Sequence, residues 1–352
     1  MSENSKIEWT DHTFNSWEGC QKVGPGCEHC YAEARNARFS GGIAINWGPR
    51  APRRRTSAAN WRKPLQWNKQ HAEFFAKHGR RQRVFCASLA DVFDNAVDPA
   101  WRRDLFDLIE LTPNLNWLLL TKRIGNVFEM VARARSHDWL AGRDNVWLGA
   151  TVVNQEEADR DIPKLLEVPA AARFLSIEPM LGPINLKRWL DPTGITCMDY
   201  CPDSQYVDVD VVDTSIAGGD LVPLCEHCGA LASWTGYDDG IDWVICGGES
   251  GHGARPMHPD WARSLRDQCA AARVPFLFKQ WGEWAMQTPE QQKQLPGSLI
   301  IKHVSAWPDG TLGHGDFREN GGYGRPLFPV GKKAAGRLLD GRTHDEFPRA
   351  VK

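Results

Sequence analysis

Residues 242–284 read DWVICGGESGHGARPMHPDWARSLRDQCAAARVPFLFKQWGEW. Two apolar runs, DWVICGGESG (242–251) and PFLFKQWGEW (275–284), enclose a helical pattern, HPDWARSLRDQCAAARV (258–274), with Asp260 as its candidate N-cap. Both runs are nearly continuous in hydrophobicity, as strands buried on both faces are. The alternation extends upstream through RVFCASLAD (83–91), NWLLLTKR (116–123), NVWLGATV (145–152) and ARFLSIEP (172–179). Between these runs lie PAWRRDLFDLIELT (99–112), opened by Pro99 after Asp98, and NQEEADRDIPKLLEV (154–168), with Asn154 as candidate cap. Strand alternating with helix at this frequency predicts an α/β fold with a parallel sheet. No G-x-G-x-x-G follows the first strands, so the dinucleotide-binding fingerprint is missing. The expectation is a partial parallel (β/α) barrel of six to seven strands.

The ends of the runs favour the barrel. Ser88 and Asp91, Thr121 with Lys122 and Arg123, Thr151 and Asn154, Ser176 and Glu178, Glu249 and Ser250, and Lys279 and Gln280 all fall at C-terminal strand ends. In a (β/α) barrel those positions converge on one mouth, where barrel enzymes keep their chemistry. A glutamate there that only pairs with Lys122, Arg123 or Lys279 is the plainer alternative for Glu178 and Glu249.

Bulk composition sets few further bounds. The 352 residues are 42% hydrophobic and 24% charged with a net charge of −2, so affinity for nucleic acid or membrane would have to come from a local patch. No signal-peptide core opens the chain and no apolar run is long enough to span a bilayer, so a cytoplasmic protein is expected. Ten cysteines in a reducing compartment argue for metal or redox chemistry.

The strand rhythm breaks between 187 and 241, where Cys197-x3-Cys201 and Cys225-x2-Cys228 occur. Four thiolates in a segment poor in apolar residues suggest a structural zinc that replaces a core, with an auxiliary iron–sulfur cluster as the alternative. The barrel therefore spans 1–284, interrupted by the Cys-rich insertion 187–241. Residues 285–352 form an extension that packs on it, with one helical pattern over 331–341. Cys86, Cys246 and Cys269 sit in strand or helix patterns as small core residues.

Ahead of the first long run lies EGCQKVGPGCEHCYAE (18–33), with Cys20, Cys27 and Cys30 in a C-x6-C-x2-C spacing. Three cysteines suit neither a disulfide framework nor a closed zinc site, unless a histidine such as His29 or His12 adds a fourth ligand. They do suit a cubane iron–sulfur cluster with one iron left open. FNSW (14–17) before the loop is the candidate first strand, and YAEARNARF (31–39) after it is helical in pattern.

From Glu33 to Glu73 there is no acidic residue between, but there are nine lysines and arginines. Arg50, Arg53, Arg54 and Arg55 lie among Trp47, Trp61 and Trp67. Guanidinium groups suit phosphate and interleaved aromatics can stack on bases, so phosphate or nucleic acid is one reading; pairing with acidic neighbours is the other.

A three-cysteine loop after the first strand of a parallel barrel resembles the radical S-adenosylmethionine (radical SAM) superfamily. More closely, IEWTDHTFNSWEGC, GCEHCYAE, FLSIEPMLGPI, WVICGGESGHGARPMHPDW, PFLFKQWGEW and LDGRTHDEFP resemble an uncharacterised three-Cys-motif family of phage and bacterial proteins. The superfamily resemblance implies a 4Fe-4S cluster on Cys20, Cys27 and Cys30, SAM on the open iron, and a 5′-deoxyadenosyl radical acting on a substrate at the barrel mouth; the basic, aromatic stretch makes a nucleotide within DNA or RNA the candidate substrate. The resemblance also implies an electron donor such as flavodoxin or ferredoxin. On this resemblance Ser88, Asp91, Lys122, Asn154, Ser176, Glu178, Gly247 and Gly248 are candidates to hold the cofactor, and Glu249 and Lys279 to act in catalysis. The superfamily's usual first gap is three residues, with an aromatic before the last cysteine; this chain has six and His29. The competing reading is a zinc-stabilised nucleic-acid-binding protein without redox chemistry.

Overall fold

The structure, a computed structural model, describes residues 3–190, 195–197, 211–212, 222–223, 232–234, 240–313 and 324–348. Seven strands form one sheet: β1 (His12–Thr13), β2 (Gln82–Cys86), β3 (Leu115–Thr121), β4 (Val146–Thr151), β5 (Ala172–Ile177), β6 (Trp243–Gly247) and β7 (Phe276–Gln280). Their spatial order is their chain order, and every neighbouring pair is parallel. An order that never reverses has no switch point, so the sheet curls into a half-barrel rather than winding doubly. The chain enters the sheet at His12–Thr13, just ahead of the expected FNSW. Phe14 still donates its N–H to Phe85 O at 2.9 Å, and Trp17–Glu18 then leaves to pair antiparallel with Arg54–Arg55.

Period-two alternation gives the sheet two apolar faces. Val84, Trp117, Leu119, Leu148, Leu175, Val244 and Phe276 pack outward beneath the helices. Phe85, Leu118, Trp147, Phe174, Trp243, Ile245 and Leu277 point inward and, with Trp9, fill the bottom of the half-barrel. Gly149 makes room for this plug, since a Cβ there would stand 2.3 Å from the Phe174 ring. Burying each ring contributes roughly 1.5–3 kcal/mol.

The helices start where capping chemistry allows. Asp98 accepts from Ala100 N at 2.8 Å to open α4 (Pro99–Glu110), and Asn154 accepts from Glu157 N at 2.9 Å to open α6 (Gln155–Leu166). These two follow α1 (Tyr31–Phe39), α2 (Lys63–Lys69) and α3 (His71–His78), with α5 (Val127–Ala134) between them. At α7 (Pro259–Ala271) the cap is His258, which accepts from Asp260 N at 3.1 Å, and not Asp260 itself. The helical pattern over 331–341 shrinks to Lys332–Ala335, because Gly331 and Gly336 on either side take φ of 87° and 71°.

The C-terminal segment runs along the free edge of β7. Asp345 bridges to Leu277, and Phe278 donates to His344 O at 3.0 Å. Phe347 then closes the plug against Trp243, with ring centroids 5.2 Å apart. Of the expected insertion, Ile195–Cys197 pairs antiparallel with Ala232–Trp234, and Val211–Val212 with Val222–Pro223. Cys201, Cys225 and Cys228 lie outside the described residues, as does the side chain of Cys197. Among the described residues no helix is long and apolar enough to cross a membrane.

Candidate functional site

Above the aromatic plug the inward positions turn polar. Continuing the alternation of Leu118 on β3 and Phe174 on β5 places Lys122, Ser176 and Glu178 at the C-terminal mouth. Lys279 meets Glu178 there in a two-point ion pair, with Nζ 2.7 and 2.8 Å from the carboxylate oxygens, and Gln280 Nε2 adds a bond at 3.2 Å. Gly247 lies beside them: a Cβ on it would stand 3.5 Å from Glu178. The structure thus brings together Glu178, Gly247, Lys279 and Gln280, which the sequence spreads from 178 to 280.

The cysteine loop lies across this mouth. Pro25–Cys27 form a single 3-10 turn, and Cys30 is the N-cap of α1. Two close approaches seat the loop on the segment after β4. A Cβ on Gly26 would fall 2.7 Å from Val153 Cγ1, and one on Gly24 would fall 2.6 Å from Glu157 Oε1. Lys122 Nζ lies 3.8 Å from the same Gly26 position, so its ammonium sits beneath the loop. From α1, Tyr31 reaches back across the mouth and donates its hydroxyl to the Ser88 carbonyl at 2.5 Å. The Ser88 hydroxyl accepts from Asn15 Nδ2 at 3.0 Å.

Arg255, in the loop after β6, clamps the cysteine loop from the other side. Its guanidinium donates to both oxygens of Glu249, at 2.8 and 2.6 Å, and its N–H donates to Glu249 at 2.8 Å. The same side chain reaches Pro25 O and Glu28, each at 2.9 Å. His29 completes the contact, with Nδ1 3.1 Å from Glu249 Oε2. Burial pushes the Glu249 carboxyl up, but Arg255 and His29 more than offset this and hold it below the usual range. Glu249 is therefore an ionised anchor for the loop.

At the third edge stands Arg123. Its Nη1 lies 3.5 Å from Cys20 Sγ and its Nη2 2.9 Å from Gln21 O. Asp91 fixes the guanidinium, 3.0 Å from Oδ2. Asp91 also accepts from Thr121 Oγ1 at 2.8 Å, Phe93 N at 2.9 Å and Lys122 N at 3.1 Å. Four donors fill its acceptor sites, so Asp91 anchors the mouth and has no oxygen left for a cofactor. Burial pushes the Cys20 thiol up to about 11, against the pull of Arg123. Burial raises Cys30 too, opposed by the Glu33 and Ala32 amides at the start of α1 and by Lys122.

The histidines named as further ligands are engaged elsewhere. His29 Nε2 would lie 3.0 Å from a Cβ on Gly253, so its second nitrogen faces the β6 loop. His12 stacks on Trp67 at 4.2 Å, and its Nδ1 accepts from Asn4 N at 3.3 Å. Among the described residues no three His, Cys, Asp or Glu side chains gather closely enough to hold a single metal ion.

Other expected site residues have structural duties. The Asn154 carbonyl oxygen is spent on the α6 cap. Gly248 allows β6 and β7 to close on each other, since a Cβ there would fall 1.9 Å from Trp281 O. The arginine run is matched by acids: Arg53 is buried against Asp94 at 2.6 Å, while the exposed Arg54 pairs with Glu18 and the exposed Arg55 with Asp104 at 2.6 Å. Arg50 is exposed. Cys86, Cys246 and Cys269 are buried, and burial raises all three thiols. Arg255 and Tyr31 were not anticipated; the dense GHGARPMHP stretch was the available signal for Arg255.

No match is found among curated proteins or solved structures. A family model described as "Protein of unknown function (DUF5131)" matches residues 4–348, and the chain belongs to that family.

Proposed function

We propose that this chain is a radical SAM enzyme in which Cys20, Cys27 and Cys30 hold a 4Fe-4S cluster. The observation that carries the reading is a three-thiol loop at the C-terminal mouth of a parallel half-barrel, where Arg123 at Cys20 and the Glu33 and Ala32 amides at Cys30 oppose part of the burial that disfavours their thiolates. The donor set fits a cubane. Each thiolate binds a different iron, so the three sulfurs need not converge on one point as ligands of a single zinc do. His29 turns its Nε2 toward Gly253 and His12 stacks on Trp67 at β1, which favours this reading over a zinc site completed by either histidine.

Held by Cys20, Cys27 and Cys30, such a cluster would supply the one-electron reduction of SAM that radical chemistry needs. The chain's own residues provide the surroundings. Lys122 offers a cation for the methionine carboxylate, and Ser176 and Glu178 offer hydrogen-bonding groups to the ribose. Lys279 orients Glu178, and Gly247 leaves the space beside it clear. Glu249 and Arg255 hold the cysteine loop down. A flavodoxin- or ferredoxin-type protein is the proposed electron donor, and a structural zinc on Cys197, Cys201, Cys225 and Cys228 remains part of the proposal.

For the substrate we retain a nucleotide within DNA or RNA, now on the exposed side of α1. Tyr31, Ala34, Arg35, Arg38 and Phe39 line an open surface groove on α1 beside the cysteine loop. Arg35 lies over the exposed Phe39 ring, 5.0 Å from its centroid. Cation and open ring together suit a phosphate and an unstacked base.

The test is turnover. Protein reconstituted without oxygen and given dithionite and SAM should release 5′-deoxyadenosine. No product from protein that carries a full cluster would refute the assignment.

A further inference from the structure

Cys20 differs from its two partners in having a buried guanidinium in hydrogen-bond contact with its sulfur. We infer that Arg123 is a positioning residue that sets the reduction potential of the cluster through Cys20; the inference rests on the cluster reading above.

The arrangement is built from the end of the sheet. Asp91 follows β2 and Arg123 follows β3, and their side chains are 7% and 6% exposed. A buried cation costs several kcal/mol unless a counter-charge and hydrogen bonds offset it. Here Asp91 supplies the charge, and Thr121, Phe93 and Lys122 hold Asp91 in turn. One guanidinium nitrogen is left 3.5 Å from Cys20 Sγ, and the other is tied to Gln21 O at 2.9 Å. An arginine serves because it spans three acceptors with one planar fork and stays charged at any working pH.

Hydrogen bonds and positive charge at a cluster's sulfurs stabilise its more negative, reduced form and raise its potential. Arg123 therefore moves the potential up, and Asp91, one contact further out, moves it down. A purely structural pair would lose the same thing whichever partner is removed. A tuning pair shifts the potential in opposite directions.

Wild type, Arg123→Gln, Arg123→Lys and Asp91→Asn are reconstituted anaerobically, assayed for iron and sulfide, and titrated electrochemically with the cluster followed by electron paramagnetic resonance. The expected result is a more negative midpoint for Arg123→Gln, partial recovery in Arg123→Lys, and a less negative midpoint for Asp91→Asn. An unchanged midpoint in Arg123→Gln with its cluster intact overturns the inference and leaves the cluster reading standing. If Arg123→Gln takes up no cluster, Asp91→Asn decides: an unchanged or more negative midpoint overturns it. A wild type that takes up no cluster removes the cluster reading and this inference with it.

Discussion

Replacing Arg255 with alanine should release the cysteine loop while leaving the barrel folded. In the native protein Glu249 has a side chain only 6% exposed, and it receives three bonds from Arg255 within 2.8 Å. Removing one partner of a fully buried pair costs about 3–5 kcal/mol. Arg255 is 26% exposed, so water recovers part of that, and the backbone bond and His29 remain. The expected loss is therefore about 2 kcal/mol. Much of it falls on the loop, because Arg255 also holds Pro25 O and Glu28. Hydrogen exchange reads this locally: amides of residues 24–30 should exchange up to about 30-fold faster, while those of β3 and β4 hold their rates. Glu249→Gln with Arg255→Met should recover part of the stability, because no buried charge is then left alone. Unchanged exchange in the loop of Arg255→Ala would refute the clamp.

Further outcomes follow from the same geometry. Gly248→Ala should cost about 3 kcal/mol in urea unfolding, because its Cβ would lie 1.9 Å from the Trp281 carbonyl, a backbone group that cannot swing aside. Gly125→Ala, whose Cβ meets nothing nearer than 3.8 Å, should stay within about 1 kcal/mol. Acid should open the clamp. The Glu249 carboxyl is held below its ordinary value of 4.5, so its stabilisation is present above that pH and is lost as pH falls through the lower folded value. Loop exchange, corrected for intrinsic rate, should rise there; a pH-independent loop would contradict this. Labelled single-stranded DNA or RNA should bind more weakly to Arg38→Ala and Phe39→Ala, by about tenfold for the ring, and about equally well to Arg54→Ala and Arg55→Ala. Loss confined to the latter pair would return the interface to the arginine run.

Much of the sheet was legible because buried parallel strands must be apolar throughout and must stop where the chain meets the mouth. RVFCASLAD, NWLLLTKR and ARFLSIEP carry that pattern without ambiguity, and Asn154 announced its helix. The meeting of Glu178 with Lys279 was legible only as one alternative, since charge type gives no distance. Asp91 shows the limit. Its position at a strand end was readable, but its four donors come from backbone and side chains that only the fold assembles. Arg255 was hidden for the same reason: its partner Glu28 is 227 positions away. The arginines at 53–55 looked like a basic surface because the acids that neutralise them, Asp94, Glu18 and Asp104, lie outside the run.

The central claim is that the three thiols hold four irons and not one zinc. Iron, zinc and acid-labile sulfide are measured on anaerobically reconstituted wild type and on Cys27→Ala. The account predicts about four irons and four sulfides per wild-type chain, near-complete loss of both in Cys27→Ala, and zinc equal in the two proteins. Wild type with no iron or sulfide, and one fewer zinc in Cys27→Ala, would contradict it.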